Sequence, residues 1–205
     1  MTSTTQTSVD GRSSRWDDHR ALRRDALVDA ARHAVHRLGA AASMDELAAE
    51  VGTSKSVLYR YFTDKTGLRA AMGQAVVAQI TSALTSVAQD ARSPHDAVRA
   101  MVDTYLAMIE HSPNVYRFVT SPPGDLPFAQ GVVTLLAQAF ARATGDPLTT
   151  GTVWARGAVG FIRGAGDDWL AAPEPEPRER LAARLTGWLW TGVGAGPDAD
   201  PEEAR

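Results

Sequence analysis

The stretch SMDELAAEVGTSKSVLYRYF, residues 43–62, constrains the fold more than any other part of the chain. Ser43 stands three residues before Glu46, ahead of Leu47 and Val51 at i,i+4 spacing, which is the pattern of a capping box opening a short amphipathic helix. Gly52 then ends that helix, because glycine takes the left-handed backbone a tight turn requires. Thr53 and Ser54 supply a hydroxyl cap for a second short helix. Two short helices joined by a glycine-containing turn are the signature of a helix-turn-helix.

At about 100° per residue, a helix starting after Ser54 groups Lys55, Tyr59, Ser56 and Arg60 on one arc and Val57, Tyr61, Leu58 and Phe62 on the other. The first arc has the chemistry of a DNA-reading surface. Lys55 and Ser56 sit at the helix start, Arg60 offers a bidentate fork to guanine, and the Tyr59 hydroxyl suits a phosphate oxygen. Leu58 and Phe62 are expected to pack on Leu47, Val51 and the preceding helix. Lys65 and Ser43, each at a helix N-terminus, are placed to hold phosphates. The plainer alternative is a small helical core with a solvated charged face.

The rest of the chain reads as helical. Leu22, Ala26, Ala30, Ala34 and Leu38, with Leu27 and Val35 beside them, recur at helical spacing from Asp17 until Gly39. A helix capped by Thr63 or Asp64 runs through about residue 89, and Ser93-Pro94 opens another. Further helices are expected around residues 114–119, 127–143, 150–172 and 177–191, separated by SPPGDLP, TGDP and PEPEP. No segment alternates as a strand does, so the fold class is all-α, with about nine helices. The expected organisation is a polar tail (1–16), a helix-turn-helix domain (17–69), a larger helical domain (70–195) and a C-terminal tail (196–205).

Charge placement agrees with this division. Residues 1–69 hold 11 Lys/Arg and 9 Asp/Glu, whereas residues 70–205 hold 10 and 15. There are no cysteines, which removes thiol catalysis and thiolate metal sites. The polar N-terminus and the lack of a long apolar run predict a cytoplasmic protein without a membrane span. No GxSxG, HExxH or phosphate-loop motif is present, and no catalytic residue is assigned. Asp29, His33 and His36 have a spacing that can hold a metal, yet a solvated or phosphate-facing role is favoured and no metal or cofactor is expected.

Taken together, SMDELAAEVGTSKSVLYRYFTDKTGL resembles the DNA-binding segment of the TetR family of bacterial transcriptional regulators. The shared pattern is a small helix cap, an apolar-Ala-x-x-x-Gly-x-Ser core, an apolar-Tyr-x-Tyr-Phe helix end and Lys-x-x-Leu. Many members carry Gly where this chain has Ser56. The resemblance implies that Ser43, Thr53, Lys55, Ser56, Tyr59, Arg60, Tyr61 and Lys65 contact operator DNA. For Tyr61 the two readings diverge: the helical wheel buries it, and the family often has it reach a phosphate.

For residues 70–205 the resemblance implies a ligand-binding and dimerisation domain, with dimer contacts in its last two long helices. Trp188, Leu189 and Trp190 are candidate anchors there, intramolecular packing being the alternative. Gly157, Gly160, Gly164 and Gly166 suggest close helix packing; they follow no strand, so a nucleotide loop is not supported. Tyr105, Arg117, Trp154 and Arg163 are candidate effector contacts on apolar stripes. For the two arginines, salt bridges to Asp167, Asp168 or Glu110 are the favoured alternative. The resulting expectation is a ligand-responsive regulator, a repressor, bound as a homodimer to a near-palindromic operator and released by a small apolar or amphipathic effector. The competing classes are a helical interaction protein and an enzyme without sequence-specific DNA binding.

Overall fold

In a computed structural model of the protein, residues 11–121 and 130–194 are described, with side chains from 18 to 121 and 130 to 191. The described residues form nine α-helices and no strands. They are α1 (Gly11–Leu38), α2 (Met44–Val51), α3 (Lys55–Phe62), α4 (Lys65–Gln89), α5 (Pro94–His111), α6 (Pro113–Thr120), α7 (Gln130–Thr144), α8 (Leu148–Ala171) and α9 (Arg178–Gly194). Residues 122–127 of the expected loop SPPGDLP, the start of the helix expected from residue 127, residues 1–10 of the N-terminal tail and the whole C-terminal tail lie outside the described residues. The chain divides into two compact units, Met1–Met72 and Gly73–Arg205. Helix α4 runs through the division.

The local signals of the first unit act as the sequence indicates. The Ser43 hydroxyl accepts from the Glu46 N–H at 3.3 Å, while a Glu46 carboxylate oxygen accepts from the Ser43 N–H at 2.8 Å, closing the capping box. Gly52 adopts φ 71°, and the Thr53 N–H donates back to the Ala48 carbonyl at 2.9 Å, finishing α2 in a Schellman-like turn. Ser54 caps α3 by accepting from the Val57 N–H at 3.3 Å. Asp64, not Thr63, caps α4, its carboxylate accepting from the Gly67 N–H at 2.7 Å. Thr63 instead ends α3 at a positive φ of 66°. Gly67 is required by close approach, since a Cβ there would stand 1.9 Å from the Phe62 carbonyl oxygen.

The core of this unit is Leu27, Val28, Ala31, Ala34 and Val35 of α1 against Met44, Leu47 and Ala48 of α2, Leu58 and Phe62 of α3, and Leu68 of α4. Two expectations for α1 are corrected. The helix begins at Gly11 rather than Asp17, because once a helix is nucleated each further residue adds a hydrogen bond, and no proline interrupts. Of the recurring apolar residues, Leu27, Ala34 and Val35 are buried, but the i+4 row from Leu22 to Leu38 does not stay on the core face. Leu22 is 70% and Leu38 45% exposed, because a row of pure i+4 steps drifts about 40° per step and leaves the core face.

The second unit builds its own core from α4, α5, α7, α8 and α9, with Leu106, Leu136, Val98, Leu185 and Ala155 fully enclosed. Ser93 caps α5 by accepting from the Asp96 N–H at 3.1 Å. Helices α7 and α8 approach so closely that a Cβ on Gly151 would stand 2.7 Å from the Ala137 carbonyl oxygen. Helix α9 is held to α5 by Arg178, whose guanidinium lies 3.2 Å from the Asp103 carboxylate. The α8–α9 turn is closed by the Trp169 indole N–H donating to the Glu176 carbonyl at 2.8 Å.

Candidate functional site

Helix α3 separates its two arcs sharply. Leu58 and Phe62 are buried, Lys55, Ser56, Tyr59 and Arg60 are exposed, and Val57 and Tyr61 are half-buried at the margins. Tyr61 therefore takes neither of the extremes read from the sequence. The Arg60 guanidinium covers one face of its ring at 5.4 Å, leaving a planar cation and a phenol side by side at the edge of the exposed arc.

The charged groups around this face are already engaged. Lys55 Nζ lies 2.8 Å from the Asp45 carboxylate on α2 and 5.7 Å from the centre of the Tyr59 ring. Hydrogen bonding to Asp45, followed by its charge, raises the Lys55 pKa. Arg37 of α1 and Glu50 of α2 pair at 2.6 Å. Lys65 Nζ donates to the Ala41 carbonyl at 3.1 Å, tying the start of α4 to the α1–α2 turn.

Ser43 is similarly committed. Its hydroxyl donates to the Glu46 carboxylate at 2.8 Å and accepts from the Glu46 backbone. The Ser43 backbone N–H, then its hydroxyl, hold the Glu46 carboxyl below the usual range. The sequence reading of Ser43 and Lys65 as phosphate holders thus meets groups with structural work of their own. Thr53 is half-buried in the turn between α2 and α3. In α1, Arg32 takes the Asp29 carboxylate at 2.8 Å, with His33 3.7 Å away, so the carboxylate of the considered metal trio has a cationic partner.

In the second unit, Leu84, Met101, Val102, Val132, Leu136, Val159 and Ile162 wall an apolar cavity to which Tyr105 and Arg163 bring polar groups. The cavity is narrow and partly open, with about 30 Å³ accessible to the centre of a water molecule. Tyr105 belongs to a chain of hydroxyls: it donates to the Tyr116 hydroxyl at 3.2 Å, which donates to the Asp167 carboxylate at 2.6 Å. Burial, followed by the hydrogen bond to Asp167, pushes Tyr116 up to about 12. Burial raises Tyr105 as well.

Of the four candidate effector contacts, Tyr105 and Arg163 line the cavity and the other two do not. Arg117 donates to the Leu170 carbonyl at 2.9 Å at the end of α8, and Trp154 packs on Phe140 with ring centres 5.1 Å apart. Neither arginine forms the salt bridge to Asp167, Asp168 or Glu110 considered above, among the described residues; Glu110 faces Arg178 instead. The pairing of Tyr116 with Asp167, which completes the polar chain, carries no signal in the sequence, the two being 51 residues apart.

The glycines of α8 also divide. Gly166 packs against Ile109, its would-be Cβ 3.0 Å from that side chain, whereas Gly157, Gly160 and Gly164 face open space. With Val153 (75% exposed) and Phe161 (42%), those three make one uncovered stripe. Trp188 of α9, 57% exposed, meets Phe161 edge-on at 6.1 Å. Leu189 is buried in the core and Trp190 packs on His95, so of the three candidate anchors only Trp188 is on the open face.

Comparison with known proteins agrees with this anatomy. Residues 27–72 match the model of the bacterial regulatory proteins of the tetR family. An HTH-type transcriptional regulator of Mycobacterium tuberculosis is 32% identical over 199 residues, spanning 90% of this chain and 83% of that protein. The HTH-type transcriptional activator FasR of Mycolicibacterium smegmatis is 33% identical over 180 residues, spanning 83% and 82%. Among solved structures, FadR of Bacillus subtilis in complex with stearoyl-CoA superposes with a TM-score of 0.65 at 12% identity, spanning 82% of this chain and 97% of that one. The chain, with its capped α2–turn–α3 and its separate helical unit, belongs to the TetR family of bacterial regulatory proteins and is a helix-turn-helix transcriptional regulator.

Proposed function

We propose that this regulator is a homodimeric repressor whose two α3 helices enter successive major grooves of a near-palindromic operator and which is released by an amphipathic effector. The observation that carries the DNA half is the exposed arc of α3. Ser56, Tyr59 and Arg60 project from the first two turns, where a recognition helix meets base edges and phosphates. In this reading Arg60 reads a base, Tyr59 and Tyr61 reach phosphates, and Lys55 joins them on exchanging Asp45 for DNA. Thr53, Ser43 and Lys65 line the backbone side.

Dimer formation is supported by the uncovered stripe of α8 with Trp188 of α9. An exposed apolar face with small residues along its centre lets a second copy of the same helix approach closely, and two-fold pairing is the commonest way such a face is covered.

The effector half rests on the cavity. Its walls are apolar, and Arg163 is the only cation among the described residues that line it, so the matching ligand has a hydrocarbon chain and an anionic head. The stearoyl-CoA held by the Bacillus subtilis FadR structure is a molecule of that kind. The cavity is narrow, so such a ligand must part α5, α7 and α8. Ligand and operator then favour different arrangements of the second unit and oppose each other by linkage, with α4 as the lever.

The test is operator binding in a titration with stearoyl-CoA and with palmitate. Release of the duplex supports the switch. Ligand binding that leaves operator affinity unchanged contradicts it. A rise in operator affinity would favour the opposite sign, as the name of the FasR activator suggests for one relative.

A further inference from the structure

The distribution of charge in the first unit poses a problem that the recognition helix does not solve. Residues 25–69, which hold all of α2 and α3, carry six Lys/Arg and six Asp/Glu. Three of those six cations are taken by carboxylates, Arg32 by Asp29, Arg37 by Glu50 and Lys55 by Asp45. A protein that binds a polyanion draws most of its affinity from phosphate contacts and counterion release, and a neutral, internally paired helix-turn-helix offers little of either. The surplus positive charge of this unit lies in one place. Residues 11–24, the first half of α1, carry five arginines and two aspartates.

The geometry makes residues 18–23 of that half available. Residues 18–23 are all exposed, and among the described side chains of α1 the first buried one is Leu27. Residues 18–23 therefore contribute nothing to the core. Among the described residues Arg20 and Arg23 make no ion pair. Arg24 is the hinge of the arrangement: its guanidinium lies 5.4 Å above the ring of Phe62, the last residue of α3. Arg20 lies on the same face of α1 one turn earlier, about 6 Å further along its axis.

We infer that the exposed segment 18–23 of α1 is a second DNA-contacting element, a basic helical arm whose Arg20 and Arg23 engage phosphates beside the groove that α3 enters. The inference rests on the DNA-binding reading of α3 but assigns affinity and specificity to different parts: α3 reads sequence, and the arm supplies salt-sensitive affinity that is the same for every duplex.

The test uses the full chain and two labelled duplexes, one selected by the wild-type protein from a random pool and one unrelated. Binding is measured by anisotropy across a salt series for the wild type, Arg20→Gln/Arg23→Gln and Arg20→Lys/Arg23→Lys, with melting curves confirming equal folding. The glutamine variant is expected to bind both duplexes at least about tenfold more weakly. Its log-affinity against log-salt slope should fall by about 0.9 for each phosphate it no longer neutralises. The lysine variant should keep the wild-type slope. An unchanged slope in the glutamine variant, with the wild type still preferring its selected duplex, overturns the arm alone. A weakening confined to the selected duplex also overturns it, since the arm would then be reading bases. A wild type that selects no duplex overturns both the arm and the reading of α3 beneath it.

Discussion

Asp45, in the first turn of α2, holds Lys55, the first residue of α3, at 2.8 Å. The two helices of the helix-turn-helix are thus tied by an ion pair at the edge of the exposed arc of α3. Both partners are more than half exposed, so the pair is screened and adds little to folding. In the proposed complex its consequence lies in binding: a phosphate must compete with Asp45 for Lys55. We expect Asp45→Asn to leave the melting temperature nearly unchanged and to raise affinity for all duplexes by roughly threefold at low salt, the gain fading as salt increases. Anisotropy titrations at two salt concentrations check this. Equal or weaker binding by the variant would remove Asp45 from the role.

Arg60 and Lys65 should separate in their effects. Arg60 is exposed and stacks on the Tyr61 ring, so Arg60→Ala should spare stability, cost about 1–3 kcal/mol in operator binding and relax base preference at one position of each half-site. Lys65 donates to the Ala41 carbonyl, so Lys65→Ala should lower the melting temperature as well as weaken binding to every sequence alike. Selection of duplexes by each variant, with parallel thermal melts, distinguishes the two.

Much of this anatomy is legible in the sequence, and the reason is locality. Ser43, Gly52, Ser54 and Ser93 act through hydrogen bonds to residues within three or four positions, so their spacing alone specifies the caps. The division of α3 into arcs follows from helix geometry in the same way. What spacing does not carry is the partner across helices. Asp45 and Lys55, Arg24 and Phe62, and Tyr116 and Asp167 meet through packing. For that reason Arg117 reads from the sequence as a ligand contact, whereas in the fold it closes the end of α8. Gly157, Gly160 and Gly164 likewise group with Gly166 by spacing, although only the last packs within the subunit.

The glycines of α8 should therefore respond oppositely to the same substitution. Gly157→Ala places a methyl in open space and removes the entropic cost of glycine in a helix, stabilising the isolated subunit by up to about 1 kcal/mol. Gly151→Ala drives a Cβ to 2.7 Å from the Ala137 carbonyl oxygen, and parting α7 from α8 should cost about 1–3 kcal/mol. If the stripe is the dimer face, Gly157→Leu leaves the subunit folded but lowers its mass in sedimentation to that of one chain. A Gly157→Leu protein that sediments as the wild type does would place the dimer contact elsewhere.

The Tyr105–Tyr116–Asp167 chain carries a pH signature. Burial raises both phenols, Tyr116 to about 12 and Tyr105 also upward. The folded state thus holds protons that the unfolded chain releases near the ordinary tyrosine value of about 10. The stability linked to them is complete below about pH 10 and is lost as pH rises through the folded-state values. We expect the phenolate absorbance of these two residues to appear only together with loss of helical circular dichroism, and Tyr116→Phe to remove one phenolate from that step. Phenolates of Tyr105 and Tyr116 forming below about pH 10 in a fully helical protein would contradict the buried chain.

The most direct test of the central claim, that α3 reads DNA for a dimeric switch, is a shift assay with the duplex upstream of the protein's own gene against an unrelated duplex of equal length, titrated with salt. The expected result is saturable binding of two subunits per site, at least about a thousandfold preference for the upstream duplex and a steep fall in affinity with salt. Equal affinity for the two duplexes at every salt concentration would contradict it.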